Sequence, residues 1–263
     1  MTEKWKHVIR HFSASLIGFF TLLTRQPSFA FHLMTSRAYY FWHRQLKQPI
    51  CTPDGYNIET PNELISYWSL KIEKECFRGL WIELLRLESA PLVVDVGANA
   101  GIFTHLLWVL KPDSEIFAFE PLPKMNLKIQ SWARKKSANL KLFPYAVSNH
   151  SGTATFCAEA DNDTTASLQI VNDRRPAFQV ETVTLDSALP DRSIFLIKID
   201  VEGFETEVLA GAKKVIGKTR FLLIEAHSKL AHARLVEKLG PEWQSEQVGS
   251  SDYFFRRKTD LCD

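Results

Sequence analysis

Cysteine is scarce in this chain and widely scattered. Cys51, Cys76, Cys157 and Cys262 form no C-x-x-C pair, so neither a zinc site nor a disulfide framework is expected, and a reducing compartment is the default setting. Long apolar runs are missing as well. The longest uncharged stretch, FSASLIGFFTLLT at 12–24, has 13 residues, whereas a membrane-spanning helix needs about 20. It has the look of a signal-peptide core, with Ser28 and Ala30 placed as cleavage residues, but Arg25 interrupts that region. Net charge is close to absent, +2 over 263 residues, which makes no general case for nucleic acid. There is no internal repeat and no low-complexity tract. A G-x-G-x-x-G loop, the kind that holds a dinucleotide pyrophosphate, is also lacking.

What is present reads as globular: 45% apolar and 24% charged residues, in a length that suits one α/β domain with an extension. The charge is unevenly placed. Residues 1–50 hold seven Lys/Arg against one acid, Glu3, and ten of the 31 aromatic residues. Their net charge of +6 leaves −4 on the remaining 213 residues. We read 1–50 as a basic, aromatic-rich helical extension, with Val8, Phe12, Leu16, Phe19 and Leu23 at helical spacing over 5–24 and Pro27 as its end. Three roles compete for it. It can cap the substrate pocket or form a homodimer contact. It can lie on an anionic membrane surface with Phe and Leu inserted. It can touch nucleic acid, which no stacking platform or recognised module supports, so none is expected as a partner.

Pro49, Pro53-Asp54-Gly55 and Pro61 break the chain near residue 50. A helical lead-in follows over 51–90, with its pattern in 62–88. From Pro91 to residue 263 strands and helices alternate. LVVDV is a buried strand, IFTHLLWVL a helix, EIFAFE a strand, PKMNLKIQSWARKKS a helix and NLKLFPYAV a third strand. GTATFCA and FQVETVTL look like half-exposed antiparallel strands. SIFLIKID returns to the buried style, and GFETEVLAGAKKVIG reads as one amphipathic helix stopped by Gly217. RFLLIEA, SKLAHARLVEKLG and the closing hairpin EQVGSSDYFFRRK complete the chain. This is an α/β pattern: a mostly parallel sheet with helices on both faces and an antiparallel hairpin at its end. Ligands in such sheets bind beyond the carboxyl ends of the strands.

Four segments end at that edge: DVGANAG (95–101), FEP (119–121), AVSN (146–149) and KIDVEGFE (198–205). Taken alone, D-x-G-x-x-x-G is a tight turn whose glycines serve backbone geometry as readily as a ligand. Asn99, however, stands where a dinucleotide loop has a glycine. Its bulk suits a ligand without a diphosphate. Glu120 ends the second strand, where two carboxylate oxygens can accept both hydroxyl hydrogens of a ribose. A phosphate-free nucleoside with an ammonium group near Asp95 points to S-adenosylmethionine.

In order, VVDVGANAGIFTHLL, IFAFEPLPKMNLKI, LKLFPYAVSNHSGTATF, VTLDSAL, IFLIKIDVEGFETEVLAGAKKVI and FLLIEAH resemble the FkbM family of S-adenosylmethionine-dependent methyltransferases over about 91–227. Two small departures occur: Asn99-Ala100 before the second glycine, and AVSN in place of AVSD, which affects residue 149. The resemblance implies a Rossmann-like class I methyltransferase sheet. It implies methyl transfer to a hydroxyl of a sugar, glycan or natural product, with S-adenosyl-L-methionine as donor. By the family pattern Asp95, Gly97, Ala98, Asn99 and Gly101 form the cofactor loop. Glu120 with Pro121 holds the ribose, Ala146 and Val147 lie near adenine, and Asp200 sits at the reacting edge.

Asp200, Glu202 and His227 are the candidates for a general base. Each has a plainer reading, Asp200 as a helix cap and His227 as a packing residue at a strand end. Lys198 shares a face with Asp200 and can neutralise it. Asp200, Glu202 and Glu205 could gather a divalent cation, but a helix starting near Gly203 need not let them converge, and no metal is expected. His105 and His232 lie in helical patterns and read as structural. The rival from another class is a non-catalytic ligand-binding or scaffolding module on the same fold; a nicotinamide dehydrogenase is disfavoured by the loop. The expected location is cytoplasmic, with membrane association if residues 1–50 bind lipid. The acceptor is a small molecule or glycan.

Overall fold

The computed structural model describes residues 50–52, 54–60, 63, 66–67, 80–157, 167–168, 177–248 and 251–258. The helix read over 5–24 and most of the lead-in pattern at 62–88 lie outside these. The chain divides into two compact units, Met1–Ile72 and Glu73–Asp263. In the first, β1 (Ile50–Cys51) pairs antiparallel with β2 (Asn57–Ile58) across a turn. Thr52 N–H donates to the Tyr56 carbonyl at 2.8 Å. Tyr56 and Tyr67 are fully buried and stacked, 6.3 Å between ring centres, and the Tyr67 hydroxyl donates to Asp54 at 2.7 Å.

The first described element of the second unit is α1 (Leu80–Leu87), which buries Ile82 and Leu85. Then come β3 (Leu92–Val96), α2 (Ile102–Leu110), β4 (Glu115–Phe119), α3 (Pro123–Lys136) and β5 (Leu140–Phe143). After β6 (Ala146–Val147), β7 (Gly152–Cys157), β8 (Ser167–Leu168) and β9 (Ala177–Val183) comes the short α4 (Leu185–Ala188). The chain returns to the main sheet with β10 (Ile194–Ile199), α5 (Glu205–Ala210), α6 (Lys213–Gly217), β11 (Thr219–Glu225), α7 (Lys229–Leu239), β12 (Trp243–Gln247) and β13 (Asp252–Arg257).

The seven-stranded sheet has the order β12-β13-β11-β10-β3-β4-β5. Strands β5 to β11 are parallel, and β13 is antiparallel to both its neighbours. Strands β3, β4, β5 step one way from the centre and β10, β11 the other. Right-handed crossovers in opposite directions place helices on opposite faces. The two-residue period of the strands agrees. Val94, Val96, Phe117, Phe119, Ile197 and Ile199 join a core with Val208, Val215 and Leu235 of α5 to α7. Ala118, between two of them, packs with Ile129 of α3 and with Ala98. The expected α/β architecture and closing hairpin are therefore present. No helix among the described residues is long and apolar enough to cross a membrane.

Two elements differ from the sequence reading. NLKLFPYAV is not one strand. β5 ends at Phe143 in the main sheet, and β6 belongs to a second, four-stranded sheet of order β6-β9-β7-β8. Pro144 lies between them, with no N–H to continue a ladder. The half-exposed strands expected there do pair antiparallel, as β7 with β9. Likewise GFETEVLAGAKKVIG is two helices. A Cβ on Gly211 would lie 2.2 Å from the Ser148 carbonyl oxygen, so the chain there is pressed against the β6 exit. The second helix receives its own cap from far away: the Asp186 carboxylate accepts the N–H groups of Lys214 and Val215, each at 3.0 Å.

Candidate active site

Beyond the carboxyl ends of β3, β4 and β10 lies an open cleft. It sits where the strand order reverses, the usual ligand position in open α/β sheets. Its described walls include Gly97, Asn99, Glu120, Pro121, Ala146 and Val147, together with Asp200 and Glu202 from the β10 exit. Asp95, Ala98, Gly101 and His227 are not among the walls. Ala98 faces α3, and Gly101 packs against Ile129. The sequence reading missed the apolar lining from Phe119, Tyr145, Phe156, Val201 and Phe204. Four of these, Phe119, Tyr145, Val201 and Phe204, adjoin residues it had named; Phe156 comes from β7 and carried no motif.

Three strand ends are locked together to make the floor. Gly97 and Ala98 N–H both donate to the Phe119 carbonyl, at 3.1 and 3.0 Å, and Asp200 N–H donates to the Val96 carbonyl at 3.0 Å. Gly97 has φ +80, and a Cβ there would lie 1.8 Å from the Asp200 carbonyl oxygen. Its lack of a side chain is thus required by the protein itself, whatever ligand approaches. Asn99 has φ +48, a conformation asparagine tolerates.

Glu120 is 4% exposed. Its two carboxylate oxygens accept the N–H groups of Asn99 and Leu122, each at 2.8 Å. The loop and the second strand end are therefore tied through this one side chain. Burial pushes its carboxyl up to about 7, against the pull of those two N–H groups. An ionised carboxylate offers about four acceptor positions.

Asp95 lies beneath the loop, fully buried. The Thr104 hydroxyl donates to one oxygen, and the Lys198 ammonium stands 3.8 Å from the other. Burial raises its carboxyl above the ordinary range, with Lys198 and Thr104 opposing. Lys198 also pairs with Asp200 at 2.8 Å. Burial alone would lower the ammonium, but Asp200 and Asp95 outweigh it and hold it charged. For Asp200 burial likewise opposes ionisation, and Lys198 wins, so its carboxyl is held below the usual range. Lys198 is thus the neutraliser that its position suggested. Lys198→Met should cost about 3–5 kcal/mol of stability, because Asp95 is left buried without an opposite charge. Chemical denaturation at neutral pH reads this loss, and it should shrink at acid pH as Asp95 takes up a proton.

After β10 the chain turns through two left-handed residues, Glu202 (φ +53) and Gly203 (φ +103). A non-glycine residue held in that region marks a position worth explaining by function. Glu205 does not converge with Asp200 and Glu202; its carboxylate accepts the Gly203 N–H at 2.9 Å. Asp200 is paired with Lys198 and does not cap α5, whose first position has no side-chain cap. His227 does meet the cluster. Its Nε2 lies 3.2 Å from Glu202 and 3.7 Å from Glu225. Glu225 was not singled out in the sequence, though it stands two residues before His227. Burial, then Asp200, push its carboxyl up to about 9. His105 is fully buried with its ring edge-on to Trp132, and His232 stacks on Tyr253, as structural residues do.

Residues 95–246, more than half of the chain, match the family described as the methyltransferase FkbM domain. The 2-O-methyltransferase NoeI of Sinorhizobium fredii is 29% identical over 153 residues, 51% of this chain. That match spans 63% of NoeI, just under two thirds of its length. The hexuronic acid methyltransferase AglP of Haloferax volcanii is 23% identical over 176 residues, 66% of this chain and 70% of AglP. Among solved structures, fibrillarin of Aeropyrum pernix with S-adenosyl-L-methionine bound aligns with a TM-score of 0.45 at 9% identity, over 73% of this chain and 75% of that one. The matched segment carries every strand end that builds the cleft, and the chain belongs to the FkbM methyltransferase family.

Proposed function

We propose that the chain transfers a methyl group from S-adenosyl-L-methionine to a hydroxyl oxygen of a sugar or glycan, in the cytoplasm. The observation that carries this reading is Glu120. It is a buried carboxylate that lines the cleft and is fixed by two backbone N–H groups, and the further lone pairs of a carboxylate suit ribose hydroxyls. In this reading the ribose hydroxyls donate to Glu120 and adenine lies against Ala146 and Val147. The methionine portion runs along Gly97–Asn99, with Asp95 supporting the loop from below. The direction toward oxygen draws on NoeI, named as a 2-O-methyltransferase. The sugar class draws on AglP, named for a hexuronic acid.

The donor places its sulfonium methyl near Asp200. An acceptor oxygen attacks the methyl carbon in line with the carbon–sulfur bond. The new C–O bond forms as the C–S bond breaks, and its electron pair leaves with sulfur as the neutral thioether S-adenosylhomocysteine. The hydroxyl proton passes to the acid cluster at the β10 exit, where Glu202, raised by burial and lining the cleft, is a stronger base than Asp200, which Lys198 holds ionised. Alignment supplies most of the acceleration, and proton removal about a hundred- to ten-thousand-fold.

Calorimetry with S-adenosylmethionine, followed by transfer of a labelled methyl to a panel of neutral, amino and uronic sugars, tests the proposal. Binding and transfer are expected. A chain that takes up no donor defeats the reading, and binding without turnover on any acceptor favours a ligand-binding module. The pH dependence is specific. The ionised Glu120 accepts the ribose hydroxyls, so binding is full above pH 7 and is lost as pH falls through about 7. At pH 6 the affinity for S-adenosylhomocysteine should be about tenfold weaker than at pH 8, with proton release on binding; in Glu120→Gln the profile should be flat.

A further inference from the structure

At the lip of the cleft, three strand ends bring acids side by side. Ile199 pairs with Ile224, so Asp200 and Glu225 follow each other's strands out of the sheet. On the other side Glu225 is paired directly with Asp252 of β13. These acids are tied by hydrogen bonds: the Glu225 carboxyl bonds to Asp200 and accepts the Ser251 hydroxyl at 2.7 Å. Glu202 joins them from the turn. Among the described residues, Lys198 and His227 are cations that act on these acids, and Lys198 is already shared between Asp200 and Asp95.

The histidine is not placed as a simple ion-pair partner of one acid. One ligand atom each from Glu202, Glu225 and His227 falls within 4.8 Å of the other two. The contacts of His227 Nε2, 3.2 Å to Glu202 and 3.7 Å to Glu225, are close to the spacing of neighbouring ligands around a small divalent ion, about 3 Å for bonds of about 2.0–2.2 Å. We propose that Glu202, Glu225 and His227 form a binding site for a divalent first-row cation at the lip of the cleft. Two carboxylates and an imidazole are a mixed donor set. The nitrogen favours manganese, iron, cobalt or zinc over magnesium or calcium. Three protein ligands leave positions open for water or for a hydroxyl of an acceptor.

Glu202 belongs both to this set and to the wall of the cleft, so the ion would stand beside the space an acceptor occupies. An alcohol is a far weaker acid than any carboxylic acid. A hydroxyl oxygen on a bound cation loses its proton much more readily. That purpose rests on the methyl-transfer reading; the site itself does not.

The test is a titration of the full chain with MnCl2 alone, followed by electron paramagnetic resonance of free Mn2+, with no donor or acceptor present. One Mn2+ per chain is expected, bound at least tenfold more weakly in both His227→Ala and Glu225→Gln. His227 has a side chain 52% exposed, so H227A tests the site even if loss of the more buried Glu225 destabilises the chain. Absence of stoichiometric Mn2+, or less than a tenfold change in H227A, overturns the proposal. S-adenosylhomocysteine binding by the same sample reports separately on the methyl-donor reading, so either can fail alone.

Discussion

Glu120→Ala should weaken S-adenosylmethionine binding by at least about a hundredfold. Two hydrogen bonds to a charged group are worth about 1.5–3 kcal/mol each, and each 1.4 kcal/mol is a factor of about ten. The same change leaves the N–H groups of Asn99 and Leu122 without their acceptor. Stability should therefore fall too, by about 1–3 kcal/mol for each N–H that water cannot reach. Glu120→Gln separates the two effects. It keeps a side chain of the same shape and one accepting oxygen, so it should lose one of the two backbone bonds, cost less stability than E120A, and lose most of the affinity. Calorimetry at pH 8 on chains shown to be folded gives the answer. Donor affinity within twofold of the parent in E120A would remove Glu120 from the ribose and with it the main support for the proposed function.

Gly97→Ala should be more damaging to the fold than any other single methyl addition in the loop. The added carbon would lie 1.8 Å from the Asp200 carbonyl oxygen, and the backbone stands at φ +80. The neighbour is main chain at the end of a central strand, so it cannot swing aside as a side chain would. Relief requires β3 and β10 to part at their ends, which breaks the Asp200 N–H to Val96 carbonyl bond. Overpacking and a left-handed alanine together predict a loss of about 3–5 kcal/mol and a fall in melting temperature of about 10 °C. Gly203→Ala is the matched comparison. Gly203 has φ +103, but an added methyl carbon would meet nothing within 4 Å, so only the backbone cost of about 1–3 kcal/mol applies. Equal melting temperatures for the two variants would show that the close approach at Gly97 carries no weight.

The two glycines that first suggested a ligand loop also show how sequence and structure divide the explanation. D-x-G-x-x-x-G correctly marked the turn after the leading strand. The lack of side chain at Gly97, however, answers to the Asp200 carbonyl from 103 positions along the chain, and Gly101 answers to Ile129 of α3. The place of Glu120 in the cleft wall was legible because it ends a buried strand. Its grip on the Asn99 and Leu122 N–H groups was not, since nothing in FEP says which way the carboxylate turns. Asp95 shows the opposite case. An acid at a strand end invited a direct ligand role, and the fold gives it a buried partnership with Thr104 and Lys198.

Local sequence by itself determined the alternation of buried strands and amphipathic helices, the antiparallel hairpin and three of the four motifs at one edge of the main sheet, the fourth, AVSN, leaving a strand of the second sheet. These depend on periodicity and on the chemistry of neighbouring residues, which a linear reading contains. Tertiary structure alone decided the breaks and the meetings. Pro144 divides an apolar run between two sheets, Asp186 caps a helix whose first N–H groups lie 28 residues away, and Glu225 faces Asp252 beside Asp200. Each of these joins residues remote in sequence. Strand order and register bring them together, and no local pattern encodes either.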